Sequence, residues 1–275
     1  VHRIQPPELT AQAAGWVRET GFSSLNIDLI YGLPFQTVAS FDRTLDEILE
    51  LAPDRFAVFS YAHVPWMKPA QKIVETRNLP TPETKLQLLK LTIEKLTASG
   101  YVYIGMDHFA RPEDELAVAQ QAGTLQRNFQ GYSTRGGADI YGFGMSSISQ
   151  TQDAYWQNLK DLDAYRAKVD SGELPYARGY LLNADDRIRR ETIMQIMCNL
   201  GVDYTVLSQR LGIDFPDYFA KELASLGDLE ADGLIARTPS RIVVTDLGRL
   251  LVRIIAMRFD AHLPKAGARR HAMTI

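Results

Sequence analysis

Asp28, His63, Asp107 and His108 fall in three short runs, NIDLIYGLP (26–34), FSYAHVP (59–65) and GMDHFARP (105–112), each passing from apolar into polar residues. A carboxylate accepts hydrogen bonds from hydroxyl or ammonium groups, and an imidazole changes charge near neutral pH, so these residue types can bind or serve a reacting ligand. Singly, each has a plainer use: Asp28 paired with a neighbouring cation, His63 and His108 satisfied inside a fold. A protein-ligated metal centre is not expected, because HxH, HxxxH and CxxC spacings are absent. The GxSxG, Walker and GxGxxG signatures are absent too, which removes the best support for hydrolase, kinase and dinucleotide readings. Cys198 sits in MQIMCNL on an apolar helical stripe and reads as a buried thiol rather than a nucleophile.

The elements around these runs alternate. PPELTAQAAGWVRETG forms a short helix stopped by Gly21. In SLNIDLIYGLP, Leu25, Ile27 and Leu29 share one face of a strand, with Asn26 and Asp28 on the other. SFDRTLDEILEL has Phe41, Leu45, Ile48 and Leu49 at helical spacing, with Ser40 as the expected N-cap. RFAVFSYAHVP is a second strand. TPETKLQLLKLTIEKLTASG is a helix capped by Thr81, with Pro82 in its first turn. YVYIGM is a third strand, ending in a loop at Asp107 and His108, and EDELAVAQQAG is another helix. Strands separated by helices predict parallel βα units, whose ligands collect at the C-terminal ends of the strands. The ends at 28–34, 61–65 and 107–110 are therefore expected to converge on one mouth.

Residues 127–150 carry five glycines with Phe129, Tyr132, Tyr141 and Phe143, a density that suits tight turns or close backbone approach. Beyond about residue 176 the composition becomes helical, with Ile188, Ile193, Ile196, Met197 and Leu200 as a stripe and a turn or wing at LIARTPSRIVVT. The expected organisation is 1–176 as an α/β unit and 177–275 as a small winged-helix-like domain. A DNA-binding role for that domain is disfavoured: between Asp214 and Asp232 stand six acidic residues and one lysine.

The totals agree. A chain of 275 residues, 45% hydrophobic with a formal charge of −3, can bury a core but has no basic excess for nucleic acid or anionic membranes. No apolar run approaches the ~20 residues of a membrane span. A single cysteine excludes a disulfide framework and points to a reducing, cytoplasmic compartment.

Taken together, NIDLIYGLP, FSYAHVP, GMDHFARPEDELAVAQ, RNFQGYSTRGG and the tail region resemble the oxygen-independent coproporphyrinogen III oxidases (dehydrogenases), radical S-adenosylmethionine enzymes of haem biosynthesis. The resemblance runs from about Val1 to the last helix. It implies the C-terminal part of a partial (β/α) barrel followed by a helical domain, a monomeric protein, and conversion of two propionates of coproporphyrinogen III to vinyl groups. It also implies a 4Fe-4S cluster that reductively cleaves S-adenosylmethionine. By motif, Arg3 in VHRIQP is implied to face the cofactor's carboxylate, and Asp28 in NIDLIYGLP, Ala62 in YAHVP, Phe129 in RNFQGY and Ile148 in SSISQ to form further contacts. Asp107 and His108 are expected at the tetrapyrrole pocket.

The family's cluster is held by CxxxCxxC, and this sequence has no such motif. Two readings follow. The residues are the C-terminal portion of a longer enzyme, inactive alone, or they form a cluster-less relative that binds haem or regulates.

Overall fold

The computed structural model describes residues 4–74 and 78–263; Arg3 lies outside them. The chain divides into two compact units, one holding residues up to Val118 and the other Ala119–Leu263.

In the first unit, α1 (Pro7–Glu19) leads to β1 (Asn26–Tyr31), α2 (Val38–Glu50), β2 (Arg55–Ser60), a 3₁₀ turn (Pro69–Ile73), α3 (Pro82–Ala98), β3 (Val102–Gly105) and β4 (His108–Ala110). The sheet order is β1-β2-β4-β3. β1 and β2 are parallel, as the intervening helix requires. β3 departs from the expectation. It does not pair with β2, because the chain reverses at Met106 and Asp107 and inserts β4 antiparallel to both neighbours. The turn is built on Met106 in the left-handed region, φ 53°. The Tyr103 hydroxyl donates to the Met106 carbonyl at 2.8 Å. GMDHFA is therefore a hairpin rather than a strand running into a loop.

One face of this sheet forms the core. Tyr31, Phe56, Val58, Tyr103 and Phe109 pack with Phe41 and Leu45 of α2 and Leu88 and Leu96 of α3. α2 is capped by Thr37, one turn earlier than expected, with Ser40 returning the hydrogen bond to the Thr37 amide. Thr81 caps α3 and Pro82 opens it, as the sequence predicts. α4 (Glu115–Gln121) carries the chain out of this unit.

The second unit begins with the hairpin β5 (Gln126–Asn128) and β6 (Gly131–Ser133). A three-stranded antiparallel sheet follows, formed by β7 (Ile148–Gln150), β8 (Ala154–Asn158) and, after α5 (Leu162–Asp170), β9 (Tyr176–Leu181). The expected boundary at 176/177 falls at the start of β9. Next come α6 (Ala184–Asn199), β10 (Gly201–Asp203) and α7 (Tyr204–Leu211). The stretch from Phe215 onward forms three short helices, α8 (Phe215–Tyr218), α9 (Ala220–Ala224) and α10 (Gly227–Ala231). β11 (Ile235–Thr238) and β12 (Arg241–Val244) form the expected wing, with β12 pairing antiparallel to both β11 and β10. The final helix is interrupted at Leu251, giving α11 (Asp246–Leu250) and α12 (Val252–Met257). Phe215, Phe219 and Phe259 are fully buried, with ring centroids 4.7 and 5.4 Å apart along the series. Among the described residues, no helix is long and apolar enough to cross a membrane.

Candidate functional site

Asp28 owes its setting to the alternation of β1: Ile27, Leu29 and Tyr31 turn toward the core, while Asn26, Asp28 and Ile30 are exposed on the opposite face. In register, Asp28 lies opposite Ala57 of β2, and Ala57 lies opposite His108 of β4. Paired residues point to one side of a sheet, so Asp28 and His108 share a cross-strand row with a methyl group between them. With strands ~4.8 Å apart, their backbones stand ~10 Å apart. Phe59 shares this face, and its ring meets that of His108 edge-on at 6.1 Å. Asn26 Nδ2 donates to Asp28 Oδ1 at 2.7 Å, orienting an exposed carboxylate that can accept from a hydroxyl or a cation. Asp107 is in the hairpin turn, where its carbonyl accepts from the Val58 amide at 2.7 Å and fastens the turn to β2.

Glutamines brace the loops after β1 and β2. Gln36 Oε1 accepts from the Gly32 amide at 2.6 Å, and Gln36 Nε2 donates back to the Ile30 carbonyl at 3.3 Å. Gln71 acts likewise on the second loop, accepting from the Val64 amide at 2.6 Å and donating to the Ala62 carbonyl at 3.0 Å. Ala62 thus has a fixed backbone and a small exposed side chain. Neither glutamine stands in a recognisable motif, which is why sequence reasoning missed them. His63 is near Tyr61, ring centroids 6.2 Å apart, and its Nδ1 is buried with no hydrogen-bond partner among the described residues.

Phe129 and Ile148 belong to the second unit. Phe129 is at the tip of the β5–β6 hairpin, 41% exposed, and lines a cavity of about 220 Å³ with Arg127, Tyr155 and Met197. Ile148 opens β7 and lines a separate cavity of about 290 Å³ with Tyr155, Trp156 and Tyr180. Tyr155 walls both. The glycine-rich segment has a local cause here: a Cβ on Gly142 would stand 2.7 Å from the Ile148 carbonyl oxygen. Asn158 Nδ2 ties this loop together, donating to the Gly144 carbonyl and Ser147 Oγ, each at 3.0 Å.

The residues present do not fit an iron–sulfur cluster. Cys198 is fully buried, and burial pushes its thiol up to about 12, far from the thiolate a cluster needs. Its Sγ lies 3.4 Å from Met194 Sδ. Among the described residues, no group of three or more His, Cys, Asp or Glu could hold a metal ion.

A polar network that the sequence did not signal lies at the start of α6. Asp186 is buried and accepts from the Tyr180 hydroxyl and the Asn183 amide, both at 3.0 Å, while His262 Nε2 lies 2.6 Å from its other oxygen. The hydrogen bond from His262 holds Asp186 below the usual carboxylate range. The same bond raises His262, with the charges of Asp260 and Asp185 adding to it. The histidine's contribution to stability is complete below an unfolded pKa of about 6.5 and is lost as pH rises through the raised folded value. The aspartate's contribution is complete above an unfolded pKa of about 3.9 and is lost as pH falls through the depressed folded value. Stability from this pair therefore peaks between about pH 4 and 6.5. Melting temperatures measured across pH are expected to show His262→Gln flattening the alkaline limb; identical limbs in both proteins would remove this role.

Comparison with known proteins places the chain. The family described as HemN C-terminal domain matches residues 182–251. Curated relatives named oxygen-independent coproporphyrinogen III oxidase include one from Synechocystis, 48% identical over 96% of this chain and 57% of the relative. Another, from Thermostichus vulcanus, is 47% identical over 100% of this chain and 85% of its own length. The solved structure described as "Coproporphyrinogen III oxidase (HemN) from Escherichia coli is a Radical SAM enzyme" superposes with a TM-score of 0.93 at 49% identity, covering 96% of this chain and 61% of that one. The chain thus spans well under two thirds of the Synechocystis and Escherichia coli proteins and most of the Thermostichus relative. With that identity and that coverage, the chain belongs to the oxygen-independent coproporphyrinogen III oxidase family.

Proposed function

We propose that this chain forms the later barrel strands and the helical C-terminal domain, 1–176 and 177–275, of an enzyme that converts two propionates of coproporphyrinogen III to vinyl groups in porphyrin biosynthesis. The observation that carries this reading is the 0.93 TM-score at 49% identity to an enzyme described as a radical SAM coproporphyrinogen III oxidase. A cytoplasmic, monomeric protein belongs to the same reading. The cluster is assigned to cysteines that this sequence does not contain.

Contacts to S-adenosylmethionine are assigned to Asp28 and Ala62 in the first unit and, separately, to Phe129 and Ile148 in the second, with Arg3 outside the described residues; when bound it supplies the adenosyl group of the reaction. The chain's own residues prepare that binding. Asn26 orients the Asp28 carboxylate as an acceptor, and Gln71 fixes the Ala62 carbonyl. Phe129 and Ile148 line separate cavities, and each offers an apolar surface of the kind that suits a flat adenine. His108, across Ala57 from Asp28, and Asp107 beside it are assigned to the substrate pocket.

The test is equilibrium binding of S-adenosylmethionine to a longer protein carrying this chain together with the cluster motif. Loss of a charge-assisted hydrogen bond costs ~1.5–3 kcal/mol, so Asp28→Ala is expected to weaken binding ~10–150-fold. An unchanged Kd would overturn the assignment. A second reading, a cluster-less relative that binds haem, is favoured by the absence of CxxxCxxC from this sequence. Stoichiometric haem uptake by the 275-residue chain itself would select it.

A further inference from the structure

The second unit holds a cavity of about 290 Å³ lined by Arg127, Arg135, Arg190 and Arg210. Its one lining carboxylate, Glu191, is already paired with Arg210 at 2.7 Å. Arg190 donates to neutral acceptors, the carbonyls of Thr151 at 3.3 Å and Gln152 at 3.0 Å and Gln152 Oε1 at 3.2 Å, which leaves its charge uncompensated. Arg127 sits 5.9 Å from the centre of the Tyr132 ring, and its Nε is buried with no hydrogen-bond partner among the described residues. Neither Arg127, Arg135 nor Arg190 forms an ion pair among the described residues.

Guanidinium groups gathered in one cavity of a chain with net charge −3 repel one another, and a buried donor without a partner is costly. An oxyanion relieves both, and the planar guanidinium fork matches a carboxylate or phosphate in two-point contact. The neighbouring cavity of about 220 Å³ decides between these. It shares Arg127, Asn128, Gln150 and Met194 with the arginine cavity and adds Tyr155 and Ile193. A ligand reaching both must be an acid at one end and apolar along its body, which inorganic phosphate is not.

We propose that the arginine cavity is a carboxylate-binding site for an organic acid whose apolar body lies along Tyr155 and Ile193. In the reaction proposed above, on which this last identification rests, the acid is a propionate of the tetrapyrrole.

The experiment is equilibrium dialysis of the chain with coproporphyrin III, its tetramethyl ester, 3-phenylpropionate and inorganic phosphate, repeated with Arg127→Gln and Arg135→Gln. Arg135 is exposed, so its substitution tests the site even if Arg127→Gln fails to fold. Each substitution is expected to weaken coproporphyrin III about tenfold, with the ester binding weakly to all forms alike. Ester and acid binding equally, or insensitivity to both substitutions, would overturn the proposal, as would saturable phosphate binding that coproporphyrin III does not displace. Arginine-dependent binding of 3-phenylpropionate without binding of coproporphyrin III would uphold the carboxylate site and remove the tetrapyrrole from it.

Discussion

Incubated anaerobically with ferrous iron and sulfide, the 275-residue chain is expected to take up no 4Fe-4S cluster and, given a strong reductant, to cleave no S-adenosylmethionine. Such a cluster is held by cysteine thiolates, and the chain has one cysteine. That one is fully buried, with a thiol pushed up to about 12, so at neutral pH it presents neither a thiolate nor an approach for iron. Iron analysis and the visible absorption of the desalted protein make the measurement, and Cys198→Ala, which removes the only sulfur nucleophile, should match the parent. Stoichiometric iron retained by the parent and lost in Cys198→Ala would show that a ligand set exists around that thiol. The expectation concerns these residues alone. A longer protein that adds CxxxCxxC is where turnover belongs under the function proposed here.

How far the sequence could lead varied with the length scale of the signal. Alternation in β1 was enough to separate Asp28 from Ile27 and Leu29, because one face of the strand is core. Thr81 and Pro82 mark the start of α3 through local hydrogen bonding alone. The partners of Asp28 could not be read in the same way. Placing it beside Ala57 and His108 requires the register of β1, β2 and β4, and β4 is three residues long, too short to show a period. Its hairpin depends on Met106 adopting a left-handed conformation that side-chain type does not advertise. β9 was missed for another reason: all six of its residues are exposed, so the strand carries no apolar face to recognise. The Asp186–His262 contact joins positions far apart in the chain, and neither residue belongs to a motif. The runs that carried the family resemblance were legible as whole words, and relatives at 47–49% identity overall bear the family out.

Gly248→Ala is expected to be among the most damaging single substitutions in the second unit, although it exchanges a poor helix former for the best one. In an open helix interior such a change stabilises by ~1 kcal/mol, since glycine loses more backbone freedom on folding. Gly15 in α1 is that case, with nothing within 4 Å of the point where a methyl group would stand. Gly248 is in the first turn of α11, and a Cβ there would stand 1.9 Å from the Leu234 carbonyl oxygen and 3.0 Å from Val244 Cγ1. The obstructing atom is backbone at the entrance to β11, and it is held in place. The Thr245 amide and hydroxyl both donate to that carbonyl at 3.1 Å, while Thr245 Oγ1 accepts from the Gly248 amide at 3.0 Å to cap the helix. A methyl group at this point must push α11 off the wing, breaking the cap and loosening its packing on β12, whose Ile242 and Val244 are buried. Overpacking against side chains costs ~1–3 kcal/mol, and against fixed backbone the loss should be at least ~3 kcal/mol. That is a large part of the ~5–15 kcal/mol by which domains are stable. Urea unfolding followed by circular dichroism should move in opposite directions for Gly15→Ala and Gly248→Ala; equal stabilisation of both would mean that the α11–β11 approach is far looser than 1.9 Å implies.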